Sequence, residues 1–311
     1  MSNTIVTASD SNYLWGVWLL LSSMRKNSMD DPVIVMAHKY SEHDKAVIRQ
    51  FENVRIIEHD KHSSRNLTCS KPAVMLEAET DYVTWVDSDA VFIGNCDTYL
   101  VPDEDHIHIR MRALKENSMV FEKYYADDEG RNSGIPVKIL DIWRNDIGEK
   151  NEPSIRTAAS ACFMSLHTKH KAFLEKWREQ IIKVLPDDNV GVVDRRSIAY
   201  FQTDESVLNS VLCFSQTAPP PTDNYKLDKD PKAYFVHFVL QPKPWQMCNS
   251  YTARHFDKTV DMVEWAIDKG IEPPAPVPFS LKRKYKRINM WLAPLGKNIA
   301  RAQKVIRKFK S

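Results

Sequence analysis

Short apolar runs and amphipathic stretches of helical period alternate along the first ninety residues. Asn3 to Ala8 reads as a strand, and the polar loop Ser9-Asp10-Ser11-Asn12-Tyr13 leads from it into a buried helix over Leu14 to Met24. Pro32 introduces a second strand, Val33 to Ala37, and Ser41 caps a helix whose apolar face is Ala46, Val47, Ile48 and Phe51. Val54 to Ile57 makes a third strand. Ser70-Lys71-Pro72 marks a further helix start, and Ala73 to Ala78 leads to the apolar run Tyr82-Val83-Thr84-Trp85-Val86. The rhythm predicts an α/β domain with a parallel, doubly wound sheet. Ligands gather at the carboxyl ends of strands in such sheets, which is where Asp10 and Asp87 both fall.

Beyond this half the pattern loosens. Residues Pro102 to Arg156 mix charge with short apolar pieces, and their role is divided between recognition of a second substrate and a structural insertion. Thr157 to Leu166 reads as a small-residue strand, and Thr168 caps a helix with Phe173, Leu174, Trp177, Ile181 and Leu185 on its core side. Thr203 opens a helix that buries Val207, Leu208, Val211 and Leu212, with Asp204 and Glu205 in its first turn. Ala233 to Leu240 reads as a strand running into Gln241-Pro242-Lys243-Pro244-Trp245, and Asp257 to Lys269 is a last helix ended by Gly270. The expected organisation is a body over 1–270, a proline-rich linker over 271–280 and an extension over 281–311.

Charge changes the picture of that extension. Leu281 to Ser311 contains eleven Lys or Arg and no acid, which leaves 32 basic against 41 acidic residues in the remainder. Ile299, Ala302, Ile306 and Phe309 share one helical face there, so the segment suits an anionic membrane surface. No nucleic-acid reading module accompanies the charge, and nucleic acid is not an expected partner. The five cysteines are scattered singly, without Cys-Xaa-Xaa-Cys. There is no charged-then-apolar leader and no apolar run of ~20 residues. The expectation is a cytoplasmic protein, peripheral on the inner face of the cell membrane.

The sharpest chemistry is Asp87-Ser88-Asp89, set between the apolar runs Tyr82–Val86 and Ala90–Ile93. Strand alternation would put both carboxylates on one face with Ser88 turned away. A divalent cation removes the mutual repulsion of two such groups and can hold substrate phosphates, while the same short spacing also fits a plain surface turn. Lys243, stiffened between Pro242 and Pro244, could present its ammonium to a phosphate. From the local sequence alone, Asp204 and Glu205 also fit a plain complement to the helix dipole, and His237 a satisfied core histidine.

Four stretches, taken together and in this order, resemble the family 8 retaining glycosyltransferases of the bacterial lipopolysaccharide galactosyl- and glucosyltransferase type. They are Ala8-Ser9-Asp10-Ser11-Asn12-Tyr13, Asp87-Ser88-Asp89, Asp204-Glu205-Ser206-Val207-Leu208-Asn209 and His237-Phe238-Val239-Leu240-Gln241-Pro242-Lys243-Pro244-Trp245. The resemblance implies a GT-A fold, a Rossmann-like and mostly parallel sheet that binds a nucleotide-diphospho-sugar, here with a basic C-terminal helical extension. It implies Mn2+ or Mg2+ on Asp87, Asp89 and His237. A UDP-sugar would be contacted by Ala8, Asp10, Asn12, Lys71, Asp87, Ser88 and Lys243, and Asp204 and Glu205 would serve the chemistry. A hexose would pass to a lipid-linked or lipopolysaccharide or capsule glycan. Alternatives are an inverting outcome, another nucleotide donor, or an inactive membrane-surface binding protein. Leu240 replaces the family's glycine, and Glu205 and Ser206 replace its Gln and Asp; Asp-Glu-Ser-Xaa-Leu-Asn is similar to the blood-group type of retaining galactosyltransferase. Ala159-Ser160-Ala161 stands where the family has Asn-Ala-Gly.

Overall fold

The computed structural model describes residues 1–59, 67–101, 103–125, 134–185, 198–223, 234–296 and 298–299. Its first half follows the apolar rhythm closely: β1 (Asn3–Asp10), α1 (Leu14–Lys26), β2 (Val33–His38), α2 (Glu42–Ile48), β3 (Val54–Glu58), α3 (Lys71–Met75), β4 (Tyr82–Val86) and the short β5 (Ala90–Phe92). Ser41 caps α2 in a full capping box with Asp44. There follow β6 (Ile107–Met111), α4 (Leu114–Phe121), α5 (Val137–Ile147), β7 (Ala159–His167), α6 (Lys171–Val184), α7 (Asp204–Phe214), β8 (Pro221–Asp223), β9 (Phe235–His237), α8 (Phe256–Asp268) and α9 (Lys286–Leu292).

The main sheet runs β3-β2-β1-β4-β7-β6-β8, with β1 to β4 parallel. It departs from an all-parallel sheet at β7, which is antiparallel to both β4 and β6. That reversal positions the site. The end of β4 reaches the middle of β7, with Val86 opposite Phe163, and the start of β7 lies beside the end of β6, with Met111 opposite Ala159. The carboxyl ends of β1, β4 and β6 therefore meet the amino end of β7 along one edge.

Alternate strand residues feed two cores, as the period of two requires. Val6, Ile34, Met36, Val83 and Trp85 pack with residues of α3, α5, α6 and α7; Ile5, Val33, Val35 and Val86 pack with α1, α2 and α8. The stretch from Pro102 to Arg156 supplies β6 and α5, whose Ile107, Ile109, Ile139 and Trp143 are fully buried. It therefore builds one core wall, and its charged loop 127–130 lies outside the described residues.

Residues 271–296 lie against the body. Glu272 exchanges backbone hydrogen bonds with the Gln50 side chain at 2.8 and 3.2 Å, and its carbonyl accepts the Trp18 indole N–H at 3.0 Å. Leu281 and Ala293 are buried. Arg283 pairs with Asp261 and Glu264 of α8, and Lys286 with Asp257 at 2.6 Å. Much of the charge on residues 281–286 thus answers the acidic face of α8. The apolar face expected from Ile299 to Phe309 lies almost wholly outside the described residues. No described helix is long and apolar enough to cross a membrane.

Candidate active site

Asp87 and Asp89 converge on one point, but a turn brings this about, not strand alternation. β4 ends at Val86, the Ala90 N–H closes the turn on the Asp87 carbonyl at 3.1 Å, and β5 begins at Ala90. The turn is anchored on three sides. The Asp87 N–H donates to Cys162 of β7 at 3.0 Å, and the Asp89 carbonyl accepts from the Phe238 N–H at 2.9 Å. Below it lies Gly16 of α1, where a Cβ would sit 2.1 Å from the Ser88 carbonyl oxygen and 2.8 Å from the Trp245 ring. Only glycine fits there.

β9 is shorter than the strand expected over Ala233 to Leu240, whose first residue lies outside the described ones. It pairs antiparallel with β5 and sets His237 opposite Ala90. The imidazole Nε2 consequently lies 3.1 Å from Asp89 Oδ1 and 3.6 Å from Asp87 Oδ2. One ligand atom from each of the three residues falls within 4.8 Å of the others. Bonds of about 2.1 Å put two ligands of one ion at most ~4.2 Å apart, so shifts of a few tenths of an ångström would close the set around a cation.

The remaining oxygens are held by other groups. Asp87 Oδ1 accepts the Trp85 indole N–H at 2.8 Å and lies 3.1 Å from Lys71 Nζ. Asp89 Oδ2 accepts from Lys243 Nζ at 2.6 Å. Each carboxylate is thereby oriented with its other oxygen toward His237, the arrangement by which outer groups fix metal ligands. Burial would raise the Asp89 carboxyl, yet His237 and Lys243 outweigh it and hold it well below the usual carboxylate range. The donor set of two carboxylates and an imidazole fits manganese or magnesium.

Lys71 lies at the amino end of α3, almost fully buried, where its ammonium joins two groups of carboxylates. It sits 3.1 Å from Asp87 Oδ1 and 3.1 Å from Asp204 Oδ2, the latter an ion pair without hydrogen-bond alignment, and donates to the Ala161 carbonyl at 2.9 Å. Burial alone would depress this amine, but Asp204 and Asp87 overcome it and keep it charged. For Asp204 burial dominates and pushes the carboxyl upward against the pull of Lys71. The residue before it, Thr203, carries φ of 51°, a left-handed conformation costly for a β-branched side chain, and its hydroxyl donates to Asp204 Oδ1 at 3.1 Å.

Glu205 is anchored too. Its Oε2 accepts the Ala161 N–H at 2.9 Å and its Oε1 pairs with the Arg112 guanidinium. Burial would raise this carboxyl, and Arg112 more than compensates, holding it below its ordinary value. Arg112, Trp85 and Gly16 carry no motif and escape a reading of the sequence; their signal is three-dimensional.

Two adjoining hollows share Thr68 and Asp87. One, of about 280 Å³, is walled by Ala8, Asp10, Tyr13, Trp85 and Ser88. The other, of about 580 Å³, is walled by Lys71, Asp204, Glu205, His237 and Leu240. Asp10 closes β1 and accepts from the N–H groups of Asn12 and Tyr13 at 3.0 and 3.3 Å, which fixes the loop that Asn12, itself exposed, continues. Lys243 is buried, with its ammonium on Asp89 and, at 2.6 Å, on the Phe238 carbonyl.

No protein-family model matches the chain, and no curated protein matches it in sequence. Solved structures do. The apo structure of WbbM, a bifunctional glycosyltransferase, aligns at a TM-score of 0.58 and 14% identity over 92% of this chain and 51% of WbbM, so the chain spans about half of that protein. The galactosyltransferase LgtC, in complex with donor and acceptor sugar analogues, aligns at 0.52 and 14% identity over 84% of this chain and 95% of LgtC. GlyE, a glycosyltransferase of Streptococcus pneumoniae TIGR4, aligns at 0.53 and 12% identity over 89% of this chain and 66% of GlyE. The mixed seven-stranded sheet, flanked by helices on both faces and reversed at β7, is the GT-A fold that this chain shares with those glycosyltransferases.

Proposed function

We propose that this chain is a metal-dependent retaining glycosyltransferase that moves a hexose from a UDP-sugar to a lipid-linked or lipopolysaccharide or capsule glycan. The observation that carries the reading is the orientation of Asp87 and Asp89, each held at one oxygen by Trp85, Lys71 or Lys243 and turned by the other toward His237. Mn2+ or Mg2+ on this triad would neutralise the donor diphosphate and stabilise it as leaving group. The smaller hollow, with Ala8, Asp10 and Tyr13, then takes the nucleoside, with Asn12 beside it, and the larger one takes the sugar between Asp204 and Glu205. In the reaction the bond from the anomeric carbon to the diphosphate oxygen breaks with its electron pair going to UDP. The acceptor hydroxyl oxygen supplies the pair for the new bond and passes its proton to the departing diphosphate oxygen. Glu205, kept ionised by Arg112, lends negative charge to the developing oxocarbenium centre.

A thermal-shift screen of nucleotide sugars with and without Mn2+ tests this. A UDP-hexose that raises the melting temperature by several degrees only with Mn2+ is the expected result, since about 100 Kd of ligand contributes ~2.7 kcal/mol. Stabilisation by another nucleotide class, or none that depends on the metal, would overturn it.

Attachment to an anionic membrane surface, at the inner face of the cell membrane, is the second part of the reading. Arg283 and Lys286 are engaged with α8, whereas exposed Ile288, Trp291 and Leu295 lie at helical spacing on and just after α9. Truncation after Gly296 preserves the buried Leu281 and Ala293 and removes Lys297, Arg301, Lys304, Arg307, Lys308 and Lys310. Binding to phosphatidylserine vesicles should fall at least about a hundredfold, at ~1 kcal/mol per cation before screening, with turnover on a soluble acceptor preserved. Unchanged sedimentation with vesicles would refute it.

A further inference from the structure

Glu205 lines the larger hollow with most of its side chain buried, and an ionised carboxylate there needs a counter-charge from the fold. Lys71 is already committed to Asp87 and Asp204. The cation that meets Glu205 arrives from the end of β6, the strand brought beside it by the reversed β7. Arg112 docks its own N–H on the Ala158 carbonyl at 3.0 Å, donates from Nη1 to the Ala159 carbonyl at 3.0 Å, and donates from Nη2 to Glu205 Oε1. Asn209 of α7 completes the frame, accepting from the Ala159 N–H at 2.6 Å and donating to the carbonyls of Ala159 and Glu205 at 3.1 and 2.7 Å.

We propose that Arg112 is a positioning residue for the transfer reaction: its buried guanidinium clamps Glu205 against the first residues of β7 and fixes where that carboxylate points. The inference rests on the function proposed above. A planar fork is what the place requires, because one group must reach a carbonyl and a carboxylate at once, which a lysine ammonium does with less directional control. The pair also accounts for a glutamate at a position where the resembling family has a neutral glutamine: an amide needs no buried cation, whereas this carboxylate does. With Oε2 on the Ala161 N–H and Oε1 on Arg112, the carboxylate is held at both ends and cannot swing away from the sugar.

Four variants of the full chain test the clamp: Arg112→Met, Arg112→Lys, Glu205→Gln, and Arg112→Met combined with Glu205→Gln. Arg112→Met should lower turnover about a hundredfold while UDP affinity in Mn2+, read by calorimetry, stays within about twofold. Arg112→Lys, which keeps the charge, should recover about tenfold of that loss. In thermal unfolding, Arg112→Met should cost about 6–10 °C, and adding Glu205→Gln should restore most of it, because the stranded carboxylate is then gone. Wild-type turnover in Arg112→Met, an Arg112→Lys no better than Arg112→Met, or additive melting shifts would each overturn the proposal. If Arg112→Met does not fold, rescue of folding by the double variant supports the clamp and its failure overturns it. The melting cycle needs no substrate, so absence of turnover with every nucleotide sugar would remove the transferase reading while leaving the clamp separately decided.

Discussion

Asp89→Asn is expected to reduce turnover by about a thousandfold or more and to abolish saturable Mn2+ binding. The substitution keeps the volume and removes one charge from the middle of a chain of contacts. Asp89 faces His237 Nε2 at 3.1 Å through one oxygen and Lys243 Nζ at 2.6 Å through the other. A neutral amide is a weak ligand for a hard divalent cation, and it leaves the buried Lys243 ammonium without a counter-charge. Alanine would be the poorer test, since it strands that ammonium entirely and mixes instability with lost binding. Titration of Mn2+ by calorimetry or electron paramagnetic resonance, beside a turnover assay, decides the matter. Wild-type Mn2+ affinity in Asp89→Asn would dismiss the triad as a metal site.

The second large effect concerns stability and its pH dependence. Lys71→Met removes the ammonium between Asp87 and Asp204 and should cost about 3–5 kcal/mol at neutral pH, because two carboxylates then share a largely dry site. Burial already raises the Asp204 carboxyl against the pull of Lys71, and without Lys71 it rises further. A carboxyl raised in the folded state favours folding below its folded pKa and penalises it as pH climbs through that value. The deficit of Lys71→Met relative to wild type should therefore shrink as pH falls from 8 toward 5. Wild-type Lys71, itself raised, keeps its contribution across this range and loses it only in strong alkali. Denaturant midpoints at several pH values measure this, and a pH-independent deficit would contradict the assigned charge bridge.

The strands and helices of the first half are legible in sequence because apolar period and capping chemistry are local. Ser41 with Asp44, and Asp10 closing β1, behave as their sequence context dictates. The reversal of β7 is not legible, since Ala159 to His167 is apolar in either direction and only pairing with β4 and β6 reveals its sense. The same limit governs the site. Asp87, Asp89, His237 and Glu205 stand out through motif spacing, whereas Arg112 acquires its meaning from an element 93 positions distant in the chain. Strand alternation would turn Ser88 outward; it sits in a turn, with its carbonyl against Gly16. Leu240 lies in the wall of the larger hollow, where its side chain would leave a donor less space than the glycine of the resembling family.

The footing of the Asp87–Asp89 turn bears on how quickly a cation would be captured. With Gly16 pressed against the Ser88 carbonyl, and with Cys162 and Phe238 holding the turn by backbone hydrogen bonds, the backbone that carries the ligand oxygens is fixed. Ion capture would then need small shifts of the side chains but no movement of the loop, and the slow event would become the shedding of water from the ion itself. Manganese would load ahead of magnesium, which gives up its hydration shell reluctantly.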